Sequence, residues 1–87
     1  MIIRRHRQFI KNYKKRILPH PNLDKKFEEK FNLFIADSKN PKLKDHKLFG
    51  SFKGLRAFSV TGNVRVVYRI VEDVIELYDI GSHNQVY

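Results

Sequence analysis

The sequence predicts an α+β domain of order βααβββ, with two N-terminal helices packed on one face of a small antiparallel sheet. Three observations carry that reading. Apolar residues recur at helical spacing through the first part of the chain, β-branched and aromatic residues dominate its last third, and Pro-rich or Gly-containing segments fall where the pattern changes. Eighty-seven residues suffice for one core and are too few for two, because domains usually hold about 100–150 residues, so residues 1–87 are expected to form a single domain.

Met1-Ile2-Ile3-Arg4 predicts a short opening strand. Phe9, Tyr13 and Ile17 then recur at helical spacing, with Ile10 beside them, and define a first helix whose other faces carry Arg7, Lys11, Lys14 and Lys15. Leu18-Pro19-His20-Pro21 ends it, since proline disfavours helical geometry in the preceding residue. Asn22 suits the N-cap of a second helix, with Asp24 in the first turn where a negative charge is favoured. Its apolar stripe is Leu23, Phe27, Phe31, Phe34 and Ile35, and Asn40-Pro41 stops it after about Ser38.

Leu55 to Thr61, Val64 to Val71 and Val74 to Ile80 predict three strands, joined at Gly62-Asn63 and Glu72-Asp73. If both turns contain two residues, Val60 lies opposite Arg65, Phe58 opposite Val67, and Arg56 opposite Arg69, all on one outward face. Leu55, Ala57, Val64, Val66, Tyr68 and Ile70 then form the more apolar face, expected against the helices. In the last strand Arg69 meets Glu76, and Arg65 meets Ile80 just before Gly81-Ser82-His83. Arg56 beside Arg69 is a like-charge pair, favourable only with an anion between them.

Net charge is +9, unevenly placed. Residues 1–16 hold seven Lys or Arg and no acid, residues 39–69 hold eight against the single acid Asp45, and residues 70–87 hold four acids and neither Lys nor Arg. Such a field attracts polyanions or an acidic protein. The absence of cysteine excludes a disulfide framework, a zinc-thiolate site and thiol chemistry, and it fits a reducing cytoplasm. Residues 1–16 carry charge like a signal peptide's n-region but lack its apolar stretch, and no segment approaches the roughly 20 apolar residues of a membrane span. The expected protein is soluble and cytoplasmic, without a metal or other cofactor.

Of four histidines, His6 and His20 are expected in solvated positions at the start of the first helix and in the proline turn. His46 lies in the basic segment Lys44-Asp45-His46-Lys47-Leu48, and His83 follows the last strand, four residues before Tyr87. Two imidazoles, a phenol and an unpaired Arg65 are ingredients for cutting RNA by attack of its own 2′-hydroxyl, which needs a base, an acid and a cation on the phosphate. Histidine, with an ordinary pKa of about 6.5, can take either proton role.

Lys44-Asp45-His46-Lys47-Leu48-Phe49-Gly50, Lys53-Gly54-Leu55-Arg56, Arg65-Val66-Val67-Tyr68 and the ending Gly81-Ser82-His83-Asn84-Gln85-Val86-Tyr87 together resemble the RelE/ParE toxin superfamily, in particular its YafQ-type branch. The resemblance covers about half the chain by motif and the rest by element order. It implies a RelE-like fold and an mRNA interferase, a ribosome-dependent endoribonuclease that cuts mRNA in the ribosomal A site and is held inactive by a cognate acidic antitoxin.

By position, His46 and His83 match the catalytic histidines, Tyr87 a C-terminal aromatic that is usually Phe, and Arg65 the phosphate-stabilising Arg. Lys44, Lys47, Lys53 and Arg56 would hold the RNA or ribosomal backbone. The sequence departs from the branch at Ser59, usually His, at Asn63, usually Asp, and near Asp79, usually Arg, which leaves fewer catalytic groups. Two other readings stay open: a non-enzymatic inhibitor of DNA gyrase on the ParE pattern, which would need neither histidine, and a plain RNA-binding module or decayed toxin, against which stands the lack of an aromatic sheet platform.

Overall fold

A computed structural model describes residues 2–87. Strand β1 (Ile2–Arg5) is followed by helices α1 (Arg7–Arg16) and α2 (Pro21–Ala36), then by β2 (His46–Lys47), β3 (Arg56–Ser59), β4 (Val64–Val71), β5 (Val74–Ser82) and the short helix α3 (His83–Val86). Two 3-10 turns, Pro41–Leu43 and Gly50–Phe52, flank β2. The α+β class and the order of helices then strands are as expected. The sheet is larger and mixed: its order is β1-β5-β4-β3-β2, with β1 parallel to β5 and the other pairs antiparallel. Met1, expected in the first strand, lies outside the described residues.

Phe9 and Ile17 of the first helix segment meet Phe27, Phe31 and Phe34 of α2 over Phe58, Val60, Val64, Val66, Tyr68, Ile75, Leu77 and Ile80. Helix α2 starts two residues before the expected boundary, with Pro21 in its first turn and His20 as N-cap in place of Asn22. Proline fits there because its missing N–H needs no partner and its φ is already helical. Ile35, expected in the stripe, is exposed.

The β3–β4 hairpin corrects the expected register. Val60 donates its N–H to the Val64 carbonyl (2.8 Å), leaving Thr61, Gly62 and Asn63 as a three-residue connection. Thr61 Oγ1 accepts the N–H groups of Asn63 (3.2 Å) and Val64 (3.0 Å), supplying the turn with an acceptor that the Gly-Asn pair lacks. Arg65 therefore pairs with Ser59, Phe58 with Val66, Ala57 with Val67, and Arg56 with Tyr68.

A one-residue slip exchanges the faces of a strand. Phe58, expected outward, is fully buried and stacks on Phe34 with 4.7 Å between ring centres, while Ala57 turns to the opposite face. The Glu72-Asp73 turn closes as expected, with Glu72 at φ 56° and Arg69 opposite Glu76. Further along, Tyr68 pairs with Leu77 and Val67 with Asp79, so Tyr78 is an extra residue. This bulge moves Arg65 from Ile80 to Gly81.

Candidate functional site

Strand register gathers the candidate residues before any side chain is considered. His46 pairs with Ala57, Ala57 with Val67, and Val67 with Asp79; the adjacent row on the same face is Ser59, Arg65 and Gly81. This face is opposite the one holding Phe58, Val66 and the α2 phenylalanines. His83 and Tyr87 enter next to Gly81, at the two ends of the closing helical turn. Ser82 caps that turn: its hydroxyl accepts from the Gln85 N–H (3.3 Å), and the Gln85 side chain accepts from the Ser82 N–H (2.8 Å). At Gly81 a Cβ would come within 2.7 Å of the Arg16 guanidinium and 2.8 Å of Gln85 Oε1, so a larger residue would have to displace the ends of these two side chains.

The His83 ring meets the Tyr87 ring edge-on at 4.7 Å, and Tyr87 meets Phe52 in the same manner at 5.8 Å. Burial pushes the Tyr87 phenol above its ordinary value, while the nearby Arg65 charge pulls it down. Arg65 donates to the Gly62 carbonyl (3.2 Å). The basic groups in ion pairs among the described residues are Arg4, His6, Arg16, Lys26, Arg56 and Arg69, which leaves Arg65 without a carboxylate.

His46 is exposed, and its Nδ1 lies 3.0 Å from the Lys44 carbonyl. A carbonyl only accepts, so the proton in that bond belongs to the imidazole, and in the neutral ring Nε2 keeps a free lone pair. Lys44 reaches this position with left-handed backbone (φ 50°).

The segment carrying His46, expected as a loop, is an edge strand held from its other side. Asp45 accepts from Arg56 Nε (2.8 Å) and from the Tyr68 hydroxyl. Burial first, and the Asp45 hydrogen bond second, raise the Tyr68 phenol far above its ordinary value.

The expected Arg56–Arg69 like-charge pair is absent: Arg56 has Asp45, and Arg69 Nη2 has Glu76 Oε1 at 2.7 Å. Lys44, Lys47 and Lys53 are exposed. Lys47 and Arg56 pair with each other in register, on the pleat opposite His46. His6 is not a solvated group as expected; it stacks on Tyr78 at 4.0 Å and lies 3.6 Å from Glu76. His20 is exposed.

Asp79 is buried, and accepts from Gln8 (3.0 Å), Asn12 (2.7 Å) and the Ile80 N–H (2.8 Å), with Arg16 at 3.5 Å. It ties α1 to the bulge behind the site. Sequence periodicity missed Asp45, Tyr68 and Asp79 as supports, because their roles depend on register, and missed Phe52 because it sits in a 3-10 turn. Ser59 shares a row with Arg65, so the position where the resemblance implies a histidine adjoins the candidate residues and here holds a group that does not titrate near neutral pH.

A family model described as a bacterial toxin of type II toxin–antitoxin system, YafQ, matches residues 1–87. No curated protein matches. Among solved structures, YafQ from E. coli strain BL21(DE3) is similar at 23% identity and a TM-score of 0.83, covering 98% of this chain and 96% of that one. The E. coli DinJ–YafQ complex matches at 24% identity and a TM-score of 0.80, with the same coverage. A metal-bound toxin from Helicobacter pylori matches at 27% identity and a TM-score of 0.79, covering 100% and 99%. The RelE-like fold expected from the sequence is thus the fold of these toxins, and the chain belongs to the YafQ family of toxins of bacterial type II toxin–antitoxin systems.

Proposed function

We propose that this toxin is a ribosome-dependent endoribonuclease acting on mRNA in the cytoplasm. The observation that carries the reading is that Arg65, free of any carboxylate, lies near Tyr87, whose ring meets His83, with His46 in register on the same sheet face as Arg65. His46 Nε2 takes the 2′-hydroxyl proton, the 2′-oxygen attacks phosphorus, and the bond to the 5′-oxygen breaks. His83 protonates that leaving oxygen, giving a 2′,3′-cyclic phosphate and a 5′-hydroxyl. Arg65 stabilises the charge on the five-coordinate phosphorane. Tyr87, whose raised pKa keeps it protonated near neutral pH, serves as a donor beside His83 and not as the base.

Lys44, Lys47, Lys53 and Arg56 hold the RNA or ribosomal backbone, Arg56 with its charge shared with Asp45. With few groups for the chemistry, orientation by the ribosome supplies much of the rate. By analogy with E. coli YafQ and DinJ, a cognate acidic antitoxin restrains the toxin, lying over the basic face of α1 formed by Arg7, Lys11, Lys14 and Lys15 around Ile10.

Expression in a bacterium tests the reading. The wild-type chain is expected to arrest growth, and His83→Ala to relieve the arrest while keeping the fold by circular dichroism. Arrest unchanged by joint replacement of His46 and His83 would refute catalysis and point to a non-enzymatic inhibitor.

A further inference from the structure

Phe49 is the most exposed of the large hydrophobic residues described, at 82%, ahead of Ile2 at 58%. Burying a phenylalanine is worth about 1.5–3 kcal/mol, and here that gain is forgone. The backbone that presents the ring is nevertheless fixed. Leu48 donates to Leu55 (3.0 Å), Phe52 to Phe49 (3.3 Å), Lys53 to Gly50 (3.1 Å) and Leu55 to Phe52 (3.0 Å), so the loop closes on itself around Phe49. Gly50 (φ 67°) and Gly54 (φ 89°) permit the two reversals.

The surroundings favour one kind of occupant. No acid occurs between residues 46 and 71, and exposed Lys47 and Lys53 flank the ring in sequence. Leu48 before it is half-buried and Gly50 and Ser51 follow it, so its neighbours along the chain supply little apolar rim of the sort that surrounds a protein hot spot. A nucleobase needs no such rim: it stacks on a single ring, with sequence-tolerant energy of about 1–3 kcal/mol, while nearby cations meet the phosphates. Phe49 also shares its turn with Phe52, the ring that supports Tyr87 beside His83.

We infer that Phe49 is a stacking platform for an unpaired RNA base close to the scissile phosphate, with Lys47 and Lys53 on the adjoining backbone. This positioning role rests on the RNA-cleaving reading of the site. It gives the enzyme a grip on the strand outside the reacting atoms.

The test uses the full chain and a single-stranded 2′-deoxy oligonucleotide carrying 2-aminopurine, which cannot be cleaved by 2′-hydroxyl attack. Wild type and Phe49→Trp are expected to quench the fluorophore and bind alike. Phe49→Ala and Phe49→Leu should bind roughly 5- to 100-fold more weakly, without the quench and with unchanged melting temperature. No quenching at saturating wild-type protein, or a Leu variant that binds and quenches like wild type, would overturn the proposal. A variant series that weakens antitoxin binding and spares the oligonucleotide would overturn it too, in favour of a protein contact. Because the probe lacks the 2′-hydroxyl, failure of the catalytic reading would leave the stacking signal intact, whereas failure of stacking would leave His83-dependent cleavage intact.

Discussion

Asp45 uses its two oxygens on two partners, Arg56 and Tyr68, and thereby holds the backbone beside His46. Tyr68 is buried in the core, and its hydroxyl reaches Asp45 from beneath the sheet edge. Because the folded state holds this phenol above its ordinary pKa near 10, the native chain retains the proton after the unfolded chain has lost it. The contribution is complete below about pH 10 and is lost as pH rises further, since there the native state binds more protons. Urea unfolding at stepped pH should show this alkaline loss, with a weaker slope in Tyr68→Phe. At pH 7 the same variant should lose about 1–2 kcal/mol, because Asp45 forfeits a donor, and a fall in cleavage without a change in the histidine groups should accompany it.

Among the elements, helix positions were legible because Phe9, Tyr13, Phe27, Phe31 and Phe34 follow the helical period and are in fact half-buried or buried. The β4–β5 turn was also legible, and Arg69 meets Glu76 as the pattern requires. The β3–β4 register was not. A Gly-Asn pair suggests a two-residue turn, whereas Thr61 supplies a side-chain acceptor that stabilises three residues, a choice made by one hydroxyl and not by periodicity. The Tyr78 bulge and the two-residue strand β2 likewise leave no periodic trace, yet the bulge shifts the partner of Arg65 and β2 places His46 in register. Phe58 distinguishes the registers. Phe58→Ala should cost about 3–5 kcal/mol, measured by denaturant unfolding, whereas the two-residue register would put this ring in solvent and make the substitution nearly neutral.

Across the whole molecule, charge divides between surfaces. His46 and Arg65 lie on one sheet face and His83 and Tyr87 at the two ends of α3, while Lys11, Lys14 and Lys15 are exposed on α1. Their distribution, legible in the sequence, favours the approach of a polyanion; the placement of His46 and Arg65 on one face depended on register and was not legible there. Reversing the three lysines to Glu should slow antitoxin association and flatten its salt dependence, with little change in dissociation, in stopped-flow measurements at several salt concentrations. An unchanged on-rate would place the antitoxin elsewhere.

The central proposal, that His46, Arg65, His83 and Tyr87 cut RNA, is tested most directly by mapping the ends of one transcript incubated with the toxin, with and without translating ribosomes. The expected result is cleavage only with ribosomes, leaving 2′,3′-cyclic phosphate and 5′-hydroxyl ends, and a loss on the order of 10²–10⁴-fold in His83→Ala. Intact mRNA during arrest, or equal cleavage by wild type and His83→Ala, would contradict the account.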